Sequence, residues 1–70
     1  MTADQLREII ERKPFRPVEV VTVGGDHYQV VEEKDVHFNP RRRPDRVVVF
    51  TEDGLFHTLD ADQITSATVL

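Results

Sequence analysis

Val18-Glu19-Val20-Val21-Thr22-Val23-Gly24-Gly25-Asp26-His27-Tyr28-Gln29-Val30-Val31-Glu32 is the stretch that decides the fold. Val18 to Val23 is β-branched apart from Glu19, and such side chains fit a pleated, half-buried surface. Gly24-Gly25-Asp26 is a turn able to supply positive φ, which a tight hairpin needs. His27 to Glu32 reads as the returning strand. The pattern therefore predicts an antiparallel hairpin around which the rest of the chain is arranged.

Upstream, the period changes from two to that of a helix. Leu6, Ile9 and Ile10 form one narrow apolar stripe, which predicts a helix from about Thr2 to Lys13. Thr2 and Gln5 have the spacing of a capping box. Asp4 in the first turn and Arg12 and Lys13 in the last match the helix dipole, and Pro14 stops the helix. So short a stripe cannot hold a helix by itself, so it must cover another part of the chain. Phe15-Arg16-Pro17 is a stiff connector, with Phe15 as a buried anchor and Pro17 pushing Arg16 toward extended geometry.

Downstream, Val36 and Phe38 alternate in a short extended piece. Residues 39–45 form a loop, because two prolines and a cationic run do not sit inside a sheet. Arg46 to Thr51 is a strand whose unbroken Val47-Val48-Val49-Phe50 run predicts burial on both faces. Glu52-Asp53-Gly54 is a hairpin turn, and Leu55 to Leu59 pairs back. Asp60 to Gln63 is one helical turn capped by Asp60, and Ile64 to Val69 is the last strand. The expected fold is mainly β with one N-terminal α-helix: residues 1–13 helix, 14–70 a small five-stranded barrel. An open α+β antiparallel sheet with one helix is the alternative.

The chain has 70 residues, 31% of them charged, and no cysteine, so it is read as a single soluble domain without disulfides or thiol chemistry. No apolar run is long enough to cross a bilayer, and Met1 to Gln5 lacks the features of a signal peptide. Cytoplasmic residence and no membrane partner are the expectations. A chain of this size buries only roughly 60% of the surface its unfolded form exposes. A lone core below roughly 70–80 residues rarely gives more than about 3–5 kcal/mol. Self-association, as a homo-oligomer, is therefore expected.

The helix-then-strands layout resembles the Sm-like family, the eukaryotic Sm proteins and bacterial Sm-like RNA chaperones. The resemblance rests on an apolar first hairpin with a glycine turn and on Asp35-Val36-His37-Phe38-Asn39. That stretch has the family's spacing of aspartate, two residues, a bulky apolar residue and asparagine. The resemblance implies a barrel that assembles through strand edges, with Asn39 and its neighbours facing a uridine pocket. The sequence departs from the family in Leu55 to Leu59, which has no glycine, in lacking the lysine–histidine pair of the bacterial form, and in inserting residues 40–46. The opening Thr2 to Arg7 with Lys13-Pro14-Phe15-Arg16-Pro17 also resembles a group of short uncharacterised bacterial proteins, a likeness that implies no function.

Charge is segregated along the chain. Between 34 and 46, Lys34, Arg41, Arg42, Arg43 and Arg46 stand against Asp35 and Asp45, a net of +3 in a chain of net −4. Arginine presents a planar donor fork that suits phosphate, and such binding weakens with salt. Phe38, Asn39, Arg41, Arg42, Arg43 and Arg46 are therefore the candidate nucleic-acid or anion-binding residues. RNA or an acidic protein is the candidate partner. The plainer reading is a solvated loop whose arginines pair with acids of this or a neighbouring subunit.

Other chemistry finds little support. His27, His37 and His57 lack the close pairing of a zinc site and read as separate strand-surface residues. Ser66 lies inside a strand with no nucleophile elbow. Glu32-Glu33, Glu52-Asp53 and Asp60 with Asp62 occupy turns, where carboxylates stay solvated with ordinary pKa values. No catalytic residue, metal or cofactor is expected, and the chain is read as a non-enzyme. Residues 63–70 carry no charged side chain. An exposed strand edge normally carries a lysine or proline guard, so this strand is expected to be paired. The pairing is either inside a closed monomer or edge to edge with another subunit.

Overall fold

The helix begins where its cap dictates. The computed structural model describes residues 1–39 and 45–70, and in it α1 runs Ala3–Glu11. The Thr2 hydroxyl accepts from the Gln5 N–H at 3.1 Å, and the Thr2 N–H donates to Gln5 Oε1 at 2.9 Å. Both halves of the predicted capping box are thus present. The far end differs from expectation. Arg12 is already extended (φ −64°, ψ 134°), so no basic residue sits in the last turn. A residue preceding proline is pushed out of the helical region, and here the helix stops one residue earlier still, ahead of the cis Lys13–Pro14 peptide. Leu6 and Ile10 are buried, while Ile9 is half-buried at the side of the stripe.

Six strands follow: β1 Val18–Thr22, β2 His27–Val30, β3 Val36–Phe38, β4 Arg46–Phe50, β5 Phe56–Asp60 and β6 Ile64–Val69. They form two three-stranded antiparallel sheets, ordered β2-β1-β6 and β3-β4-β5. The short extended piece at Val36 is thus a strand in its own right, which makes six where the sequence suggested five. A 3-10 turn at Glu33–Asp35 carries the chain from the first sheet to the second, and another at Ala61–Gln63 carries it back. The expected hairpin pairs Val18 with Val30 and Val20 with Tyr28. Its turn contains Gly25 at φ 88°, and Gly54 takes φ 84° in the β4–β5 turn. Phe15 is half-buried against the core and not enclosed by it.

The core is one cluster. It joins Leu6 and Ile10 of the helix to Val18, Val20, Val30 and Ile64 of the first sheet and Val36, Val47 and Val49 of the second. The two-sided burial expected of Val47 to Phe50 does not occur. Val47 and Val49 are 0% exposed, Val48 is half-buried, and Phe50 is 39% exposed. Side chains alternate across a strand, and only one face of this sheet is covered.

Among the described residues, the last strand is paired on one side only. β6 lies beside β1 at the edge of its sheet, with a register shift between Val21 and Thr22. The Leu70 N–H donates to the Pro17 carbonyl at 2.9 Å. Antiparallel pairs alternate between bonded and non-bonded, which aims the amides of Thr68 and Ser66 at β1 and those of Val69 and Ala67 at the free edge. The Met1 amino group donates to the Ile64 carbonyl at 3.2 Å.

Candidate functional site at the loop end of β3 and β4

Residues 40–44 follow β3, and β4 begins two residues later. Arg41, Arg42 and Arg43, the centre of the predicted anion-binding run, lie outside the described residues. The residues that frame the loop are described. The Asn39 N–H donates to the Arg46 carbonyl at 3.4 Å, which extends the β3–β4 ladder past Phe38 and Val47. Asn39 is exposed. Arg46 faces Asp60 across the β4–β5 ladder, and its Nε donates to Asp60 Oδ1 at 3.5 Å. Both side chains are more than a third exposed, so the pair contributes little to stability.

Phe38 stands apart from this outer face. It is opposite Val47, which is buried, so it turns inward and packs half-buried against the core. Its exposed side meets the helix instead. The Arg7 guanidinium lies 4.8 Å from the centre of the Phe38 ring, a cation–π contact. Arg7 Nε is also 4.0 Å from Glu11 Oε1, one turn further along α1. The structure thus brings Asn39 and Arg46 to one surface, and Phe38 with Arg7 to the neighbouring one. The Arg7–Phe38 contact had no sequence signal, because the two residues are thirty-one positions apart.

Two aromatic groupings were also missed. On the outer face of β3-β4-β5, His37 meets Phe50 edge-on with ring centres 5.5 Å apart, and Phe50 meets Phe56 at 5.9 Å. Phe50 and Phe56 flank the hairpin turn symmetrically and are ladder partners, a relation that the turn at Glu52-Asp53-Gly54 makes readable. Between the sheets, the rings of His57 and Tyr28 meet at a tilt of 39° with centres 4.5 Å apart. They line an open cleft of about 390 Å3 with His27, Thr51, Glu52 and Asp53. His27 Nδ1 also lies 3.5 Å from Glu19 Oε1. His27 and His57 thus both border this cleft, each with its own contact, Glu19 and Tyr28 respectively.

Asp53 departs from the ordinary behaviour expected of a turn carboxylate. The Thr51 hydroxyl donates to its Oδ1, as does the Leu55 N–H at 3.2 Å. These bonds favour the ionised form and hold its pKa below the usual 3.8, with nearby His57 acting in the same direction. A carboxyl moved downward is poorly suited to general acid catalysis, which needs the opposite shift. Asp60 begins the Ala61–Gln63 turn without capping it; its carboxylate is turned toward Arg46. Glu32 and Glu33 pair with Lys34 and Lys13 respectively. Ser66 is half-buried in β6. Among the described residues, no three His, Asp or Glu side chains converge in a way that would hold a metal ion. Nor is any helix long and apolar enough to cross a membrane.

Comparison with protein-family models, with curated proteins and with solved structures gives no match.

Proposed function

We propose that this chain is a non-enzymatic binding module of Sm-like or SH3-like type, in which the two sheets are halves of a small barrel. The two 3-10 turns that pass the chain between the sheets support that reading, since a barrel needs such corners. The module self-associates through strand edges. Its loop end, with Asn39, Arg46, the Arg7–Phe38 pair and the arginines at 41, 42 and 43, contacts RNA or another anionic partner. The observation that carries this is the hydrogen-bonded closure of β3 on β4 from Asn39 to Arg46. It brings together the two described residues that flank the arginine-bearing segment, one of them Arg46 with its own guanidinium. Cations held close together favour a polyanion and release its counterions on binding.

Labelled oligo-uridine titrated at low and moderate salt tests the reading. The wild type is expected to bind at low salt and more weakly at moderate salt. Replacing Arg41, Arg42 and Arg43 together by alanine is expected to weaken binding at least tenfold. No binding at low salt overturns the nucleic-acid reading.

A second reading is an assembly module with no nucleic-acid binding, its arginines serving subunit contacts. The Arg46–Asp60 pair favours it, because that guanidinium already has a carboxylate. Light scattering at micromolar concentration tests the self-association common to both. A monomer throughout would remove both.

A further inference from the structure

Two surfaces complement each other in charge and in apolarity. The first is a groove of about 300 Å3 beside the end of α1, lined by Ile9, Arg12, Lys13, Pro14, Arg16 and Val69. Its lining combines the apolar Ile9, Pro14 and Val69 with the cationic Arg12, Lys13 and Arg16. Lys13 is engaged with Glu33 at 2.5 Å. Among the described residues, neither Arg12 nor Arg16 has a side-chain partner.

The second surface is the β4–β5 turn. Glu52 and Asp53 are exposed there beside Leu55 and Phe56, which are 57% and 64% exposed. The turn is pre-shaped, because Asp53 accepts from both Thr51 and Leu55. Ordering it on binding therefore costs less than ordering a loose loop. Within one molecule the turn lies by His27 and Tyr28, at a cleft that shares no residue with the groove. The two surfaces are thus separate regions of the molecule.

We propose that the Glu52-Asp53-Gly54-Leu55-Phe56 turn of one copy docks into the Arg12–Arg16 groove of a second copy, head to tail. The inference rests on the self-association reading above and deepens it. Leu55 and Phe56 enter over Ile9, Pro14 and Val69, and the two carboxylates meet Arg12 and Arg16. Val69 belongs both to the groove and to the free edge of β6. The docking contact therefore continues any pairing made along that edge. Because the two surfaces differ, the contact is heterologous, and its repetition gives a ring or an open chain of copies.

Charge reversal tests it. Glu52→Lys with Asp53→Lys makes the turn basic, and Arg12→Glu with Arg16→Glu makes the groove acidic. Sedimentation of each variant alone is expected to show self-association weakened at least tenfold. An equimolar mixture is expected to associate again, because each variant then finds an opposite surface on the other. Either variant associating like the wild type, or a mixture that stays dissociated, overturns the docking. Ala67→Pro removes an amide from the free edge of β6 without touching either surface. If it abolishes assembly while the charge variants assemble normally, strand-edge association stands and the turn docking falls. A wild type that is monomeric at low and high salt removes the self-association reading itself.

Discussion

β1 and β4 are the central strands of the two sheets, both rich in valine, yet they treat their outer faces differently. On β1, the outward Glu19 and Val21 are flanked by Gln29, His27, Thr68 and Ser66, a largely polar surface. On β4, the outward Val48 and Phe50 are flanked by His37, Thr58 and Phe56, and two of the three aromatic rings are phenylalanines. The inward faces match, with Val18 and Val20 against Val47 and Val49. The surplus apolarity of β4 therefore does not serve the core. Its exposed end merges into the Leu55–Phe56 turn that the docking proposal uses.

Substitutions can break or sharpen that contrast. Leu6 is 0% exposed in the cluster that joins both sheets to the helix. Leu6→Ala is expected to cost about 2–5 kcal/mol and to lower both sheets in one urea transition. Two separate transitions would mean that the sheets are independent and the shared core is not cooperative. Val20→Ala and Val47→Ala are expected to cost about 2 kcal/mol each, since both side chains are fully enclosed. Clearly unequal losses, measured by the same denaturation, would show that the inner faces do not match after all.

Smaller effects follow. Thr2→Ala removes the helix cap and is expected to cost about 1 kcal/mol, with a matching loss of far-ultraviolet helical signal on mild heating. Phe50→Ser loses the ring contacts with His37 and Phe56 and is expected to cost no more than about 1 kcal/mol. A loss as large as that of Val47→Ala would place the outer face of β4 in the core and dissolve the contrast.

Asp53→Asn is the smallest effect and depends on pH. The folded pKa of Asp53 lies below its ordinary 3.8. Its stabilising contribution is therefore fully present above 3.8 and disappears as pH falls through the folded value. Wild type is expected to exceed Asp53→Asn slightly near neutral pH in thermal denaturation, and the two are expected to converge below that window. A constant gap down to strongly acidic pH would show that the charge of Asp53 is not what matters.

The local elements were legible because each depends on near neighbours. Thr2 and Gln5 announce the cap, Gly24-Gly25 and Asp53-Gly54 announce the hairpins, and the valine alternation of β1 announces its buried face. The candidate site was legible only in part. Asn39 and Arg46 were legible as the flanks of a loop, but the pairing of β3 with β4 that brings them together was not, because Val36 to Phe38 read only as a short extended piece. That Phe38 turns inward follows from its pairing with Val47, which spacing across a proline-rich loop does not set.

What the sequence determined by itself was therefore the helix, the hairpins, the turn chemistry and the segregation of charge, all written within a few residues of one another. Tertiary structure alone decided that β3 is a separate strand, that the Val47–Phe50 run has one covered face and one open one, that Arg7 lies over Phe38, and that Arg12 and Arg16 line a groove together with Val69. These outcomes depend on which distant segments arrive at a face. That is settled by how the helix and two sheets together exclude water from one core, not by the identity of any single residue.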